Sequence, residues 1–260
     1  MPNRVVPAAI VFLAALVTGK AVLAASCLVV PEDPVNGAVI QDRGKEQALS
    51  ASTRLTDCSQ LTLKRGVIHV LYESRDGEVK RQTCKDANKP CSVDGGTGTS
   101  FLESLLKLAT YQSVPGGKKM DKDVSRLPGI PHGKVLSVER ATTFNLAKAG
   151  LTQWSLTVID ADRKTPIFRQ SGSEPVVRIP GNLLRPGGKY TVLIDGGNQR
   201  YKGGFDILGG TEAQDVTKQI KQATNDAGAS ARARKLDELV IFYENNLDFE
   251  MELLREELKL

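Results

Sequence analysis

Histidine is nearly absent from this chain: His69 and His132 are the only two in 260 residues. A zinc-protease helix needs His-Glu-x-x-His, and two histidines in separate segments cannot supply it. Aromatic residues make up 5% of the chain and Trp154 is the single tryptophan. That scarcity argues against a surface that stacks sugars or bases. The four cysteines include no Cys-x-x-Cys pair, which removes the usual redox motif and the usual zinc knuckle. Gly-x-Ser-x-Gly is missing, and with it the nucleophile elbow of the hydrolases. No apolar run reaches the roughly 18 residues that read as a membrane span. No catalytic, cofactor-binding or metal-ligating constellation is therefore assigned.

What is present begins at the N-terminus. Arg4 precedes an apolar run from Val5 to Val17, which ends in the small-residue stretch Ala21 to Ser26, before the first cysteine. This is the pattern of a secretory signal peptide over residues 1–25, and it predicts a periplasmic or secreted protein. Arg4 and Lys20 fall in that segment, so the remainder is close to charge balance and calls for no nucleic-acid partner. Cys27, Cys58, Cys84 and Cys91 are an even set in an oxidising compartment and predict two disulfides. Cys27–Cys58 with Cys84–Cys91 is the favoured connectivity, because the turn-rich segment from Cys84 to Cys91 lets its ends meet. A lipid anchor on Cys27 is the less favoured alternative: the position three residues before it is Ala24 and not Leu, and lipidation would leave three cysteines unpaired by number.

Along the chain, apolar alternation from Leu61 to Thr83 around Ser74-Arg75-Asp76-Gly77 predicts a hairpin, with His69 hydrogen-bonded or edge-exposed inside a strand. The glycine-rich run Asp94 to Ser100 leads into a short helix capped by Thr99 or Ser100, with Glu103 placed for a capping box. It lacks the Gly-Lys-Ser/Thr ending of a phosphate loop. Residues 26–112 thus form a disulfide-containing β module with a short helix. Residues 113–134, with three prolines and Gly116-Gly117, read as a linker that leaves His132 exposed.

From 135 to 209, six or seven short strands with turns between them predict a β-sandwich. Leu184-Arg185-Pro186-Gly187-Gly188-Lys189-Tyr190-Thr191-Val192 resembles the Leu-x-Pro-Gly-x-x-Tyr-x-Val stretch of fibronectin type III and immunoglobulin-like domains, with Trp154 in the place of their early-strand core tryptophan. The resemblance implies a tyrosine corner, in which Tyr190 packs its ring inward and its hydroxyl meets nearby backbone. The layout as a whole is similar to exported proteobacterial proteins in which a disulfide-containing β module precedes a sandwich and a helical tail. That likeness implies the bacterial periplasm.

Residues 210–260 form the tail. Glu212 to Thr224 predicts one helix, and Ala231 to Leu260 a second of nearly 30 residues. Its stripe of Leu236, Val240, Tyr243, Leu247, Met251, Leu254 and Leu258 approaches a coiled-coil seam, widened by Leu239, Phe242, Phe249 and Leu253. Leu247, Met251, Leu254 and Leu258 are the candidate contacts for another envelope protein or a second copy. The expected fold is mainly β: a disulfide-stapled β module and an immunoglobulin-like β-sandwich, followed by a C-terminal α-helical hairpin. The expected function is a non-enzymatic binding or scaffold protein of the cell envelope. The alternative is an extracytoplasmic hydrolase or carbohydrate-binding module.

Overall fold

The computed structural model describes residues 26–91, 93, 95–96, 98–111, 126–196 and 199–260. The expected signal segment lies outside the described residues, as do the carboxyl end of the first module and the first part of the expected linker. Strands hold 37% of the chain and helices 26%, so the protein is mainly β. Among the described residues, no helix is long and apolar enough to cross a membrane.

Two sheets build the first module. Strands β1 (Cys27–Pro31), β2 (Ala38–Asp42), β3 (Lys45–Leu49), β4 (Thr53–Leu55), β5 (Leu61–Arg65), β6 (Ile68–Glu73) and β7 (Val79–Cys84) sort into the orders β4-β1-β6-β7 and β3-β2-β5. Between the sheets lies a core of Val29, Ile40, Leu61, Leu63, Ile68 and Val70. Cys27 bonds to Cys58 and Cys84 to Cys91, and no cysteine is free among the described residues. Cys27, Cys58 and Cys91 are wholly buried in that core. The Asp76-Gly77 turn joins β6 to β7, with Gly77 in the left-handed region at φ 85°.

The other face of the first sheet is covered by helices. Val30, Leu71 and Val79 point away from the disulfides into a second core. There they meet Phe101, Leu102, Leu105 and Leu108 of α1 (Ser100–Tyr111). Strand β8 (Gly133–Val135) and helix α2 (Val138–Ala141) then lead into the sandwich. Its strands are β9 (Thr143–Asn145), β10 (Trp154–Asp160), β11 (Thr165–Gly172), β12 (Val176–Arg178), β13 (Lys189–Gly196) and β14 (Gln199–Ile207). They form a five-stranded sheet, β11-β10-β13-β14-β8, over a two-stranded β12-β9 layer; β8 joins β14 in parallel and the other pairs are antiparallel. The strict alternation of β10, with Trp154, Leu156 and Val158 buried, places these side chains on the inner face.

Residues 126–132 are packed, contrary to the linker expected there. Leu127 and Ile130 enter the sandwich core, and His132, expected to be exposed, is 2% exposed. The apolar residues among these prolines have a core to join, and that overrides the loop composition.

The tail also departs from its expected form. After α3 (Gly210–Thr224), the long helix is two: α4 (Ala231–Glu244) and α5 (Asp248–Leu258). The periodicity runs straight through the break, but Asn246 turns left-handed at φ 56°. Leu247 N–H then reaches Phe242 O at 2.8 Å and Asn246 N–H reaches Tyr243 O at 3.0 Å. This is a Schellman cap closed by asparagine. It folds α5 back against α4 and inserts it between the helical core and the sandwich core.

Candidate functional site

The buried titratable groups gather at two seams. At the first, helix α4 meets the β module. Glu32, just past β1, accepts from His69 Nε2 and from Ser230 Oγ at 2.7 Å. Burial of His69 pulls its imidazole below the ordinary value and outweighs the pull of Glu32, so the ring is neutral and donates Nε2–H. Its Nδ1 accepts from Thr83 Oγ1 at 3.0 Å, and Thr83 in turn accepts from Arg81 Nη1 at 2.5 Å. Arg81 grips Asp237 of α4 with two hydrogen bonds of 2.6 and 2.8 Å. Partial burial pushes the Glu32 carboxyl up. The bonds from His69 and Ser230 and the charge of Arg232 more than reverse this, holding it below the usual carboxylate range.

Serine, histidine and glutamate thus meet, but in the wrong order for a nucleophile. Ser230 Oγ gives its proton to the carboxylate rather than the imidazole, and it accepts Ala233 N–H at 3.0 Å as the N-cap of α4. Both ring nitrogens of His69 are engaged. The cluster is a bolt between sheet and helix, in keeping with a hydrogen-bonded histidine inside a strand.

The second seam lies along α5. Glu250 Oε1 accepts Leu136 N–H at 2.7 Å, and Glu252 Oε1 accepts Gly129 N–H at 2.9 Å. Arg126 pairs with Asp248 at 2.5 Å and Lys148 pairs with Glu256. Burial pushes the Glu250 carboxyl up to about 7, against the weaker pull of the Leu136 amide and Arg140. Burial also raises Glu252. His132, edge-on to Phe249, is pulled down by burial. Glu250 Oε2 and His132 Nε2 are buried with no hydrogen-bond partner among the described residues.

Among the described residues, the glycine-rich run before α1 holds no anion cradle. Glu73 occupies the helix N-terminus instead, accepting from Ser100 N–H and Oγ, both at 3.1 Å, and Ser100 Oγ also meets Tyr243 OH at 2.8 Å. A Cβ on Gly98 would run into the Glu73 carboxylate, which would have to swing away from the helix N-terminus. Thr99 Oγ1 donates to Glu103 Oε1 at 2.8 Å, a side-chain pair rather than the side-chain-to-backbone exchange of the expected capping box; the Glu103 N–H goes to Thr99 O at 2.8 Å.

The remaining candidates are at the surface. A shallow groove of about 570 Å³ opens beside Gln153, Trp154, Ser155, Ser171, Ser173 and Asp195. The Trp154 ring does not floor it for stacking: the residue is 4% exposed and its Nε1 donates to Glu174 O at 3.1 Å. Tyr190 is 3% exposed, and its hydroxyl accepts Arg185 N–H at 2.8 Å, closing the corner that Pro186-Gly187 turns. The outer face of the five-stranded sheet carries half-buried Thr157, Ile159, Thr191 and Leu193. Register places Arg169, Thr157, Leu193 and Lys202 in one row across four strands. Neighbouring charges on this face pair with each other, Arg200 with Asp195 and Lys189 with Asp206. Arg169 and Lys202 have no ion-pair partner among the described residues.

The candidate partner stripe is not on the surface. Leu247, Met251, Leu254 and Leu258 are between 0% and 6% exposed and belong to the helical core. Reading the stripe as partner contacts assumed one straight helix; with α5 folded back, these side chains are buried within the chain. Among the described residues, no group of histidine, cysteine and acidic side chains has the arrangement of a metal site. No known family model matches the chain, and no curated protein matches it.

Proposed function

We propose that this chain is an exported, non-enzymatic binding protein of the cell envelope, whose sandwich is of immunoglobulin type and docks an acidic protein surface. The observation that carries this reading is the outer face of the five-stranded sheet. It has an apolar and hydroxyl centre, and among the described residues no element lies over it and Arg169 and Lys202, at the two ends of one row, have no ion-pair partner. Carboxylates on a partner would complete that row, steering encounter as well as fixing orientation. Export rests on the signal pattern and is supported by the two disulfides, which persist in oxidising compartments. The strand order, the inward Trp154 and the tyrosine corner support the sandwich assignment. Sugar binding draws less support, because the groove beside Trp154 offers serines but no exposed ring.

The test is photo-crosslinking from Leu193 in the native envelope. One acidic protein partner is expected. Its capture should fall at least about tenfold in the Arg169→Glu, Lys202→Glu double variant, and also when salt rises from ~0.1 to ~0.5 M. Capture that ignores both charge reversal and salt, or no crosslink from this face, would overturn the docking site.

A further inference from the structure

We propose that helix α5 is an ionisation-gated latch: it clamps the leading segment of the sandwich while Glu250 is neutral and loosens its hold on that segment once Glu250 is charged. The inference is independent of the docking face.

The geometry comes first. Helix α5 separates two cores, sending Phe249 and Leu253 into the sandwich and Leu247, Met251, Leu254 and Leu258 into the helical layer. Apart from two contacts with α4, Lys235 with Glu257 and Arg232 with Leu258 O, the polar side-chain contacts from α5 among the described residues reach one stretch of chain, residues 126–148. They go to Arg126, to Gly129 N–H, to Leu136 N–H and to Lys148. Two of the four use carboxyl groups that are 1% and 5% exposed, Glu250 and Glu252 respectively. A buried carboxylate is tolerated when several donors surround it. Glu250 has the Leu136 amide on Oε1, a weaker pull from its own amide, and no partner for Oε2 among the described residues. Its charged form is therefore poorly met, whereas its neutral form keeps the Leu136 bond.

The surrounding charges do not rescue it. Arg140 of α2 is the cation that Glu250 feels, and it offsets burial only in part. Glu252 faces Lys148 and Arg255 but also Glu256. His132 faces Arg126 and Asp248. On α4, Lys235 is committed to Glu257, Arg232 donates to Leu258 O, and Glu238 adds a further acid near Arg140. With the latched carboxyl near 7 and the released one near 4.5, the sign is fixed. The latched state binds the extra proton, so latching is strongest below about pH 4.5 and is lost as pH rises through 7. Between pH 6 and 8 the ratio of latched to open forms should fall by about tenfold.

Hydrogen exchange of the Leu136 amide reads the latch directly, because that N–H is the one Glu250 holds. Exchange is measured on the full chain and expressed as protection relative to the intrinsic rate at each pH. Protection at Leu136 should fall about tenfold from pH 6 to pH 8, while Val70, deep in the β module, keeps its own. Glu250→Gln retains the acceptor and cannot ionise, so its Leu136 protection should be flat across the range. A Leu136 response that is absent in the native chain, equal in Glu250→Gln, or shared by Val70 would overturn the latch. If Glu250→Gln does not fold, the carboxyl carbon resonance of Glu250 in the native chain decides. A midpoint near 7 upholds the proposal, and one near 4.5 overturns it.

Discussion

Where α4 meets the β module, Glu32 accepts from His69 and Ser230 and keeps 29% of its side chain in water. Where α5 meets the sandwich, Glu250 accepts one amide of another element and is 1% exposed. The first carboxylate sits below the usual range and the second well above it. Both are glutamates at a helix seam, each within reach of an arginine, Arg232 and Arg140 respectively, so residue type does not separate them. The number of donors set against the water removed does. The first seam is a satisfied ion held in place; the second is an acid whose neutrality the fold maintains.

The comparison breaks most visibly at the apolar anchors of α5. Phe249→Ala should cost about 3 to 5 kcal/mol and Met251→Ala about 2 to 5 kcal/mol, measured by denaturant unfolding. Losses under about 1 kcal/mol for both would mean that α5 is not wedged between the cores. Next come the carboxylates themselves. Glu32→Ala leaves His69 Nε2–H and Ser230 Oγ without their acceptor and should cost about 2 to 3 kcal/mol at pH 8. Glu250→Gln at the same pH should be neutral or stabilising. Equal destabilisation by the two would erase the distinction between the seams.

Tyr190→Phe is a smaller perturbation. It keeps the ring and removes the acceptor of Arg185 N–H, for about 1 to 2 kcal/mol by thermal unfolding. The mildest effect is a slope. His132 is held neutral by burial, below its ordinary value of 6.5. Its contribution is therefore complete above pH 6.5 and is lost as pH falls through the depressed folded value. His132→Leu should flatten that acid limb of the stability curve, and an unaltered limb would place the responsible group elsewhere.

Much of the fold was legible, for reasons of local chemistry. Asp76-Gly77 marks a hairpin because its left-handed turn position favours glycine, and period-two alternation gives the inner face of β10. Pro186-Gly187 with Tyr190 announced a corner whose bond is entirely local. The seams were not legible. Glu32 and Ser230 lie 198 residues apart, and Arg81 and Asp237 lie 156 apart, so nothing in either neighbourhood hints at the other. The α4–α5 break was hidden because its apolar spacing continues across Asn245-Asn246, and only the left-handed turn at Asn246 ends the helix. One signal for the buried acids was present in the sequence. Phe249, Met251, Leu253 and Leu254 leave Glu250 and Glu252 no fully polar side of the helix to occupy, yet the whole acidic face reads as solvated when only one stripe is traced.

The order of elements along the chain gives the α5 seam a consequence in time. Its polar bonds join residues 108 to 123 positions apart, and the covering helix follows the whole sandwich in chain order. While the sandwich strands are being synthesised, Leu127 and Ile130 lack Phe249, and Leu136 lacks its carboxyl acceptor. The segment that opens the sandwich is thus the one that must wait longest to be finished. Closure of this seam is a non-local step that cannot precede synthesis of α5, and the cost of bringing such distant residues together makes it slow relative to the local hairpins.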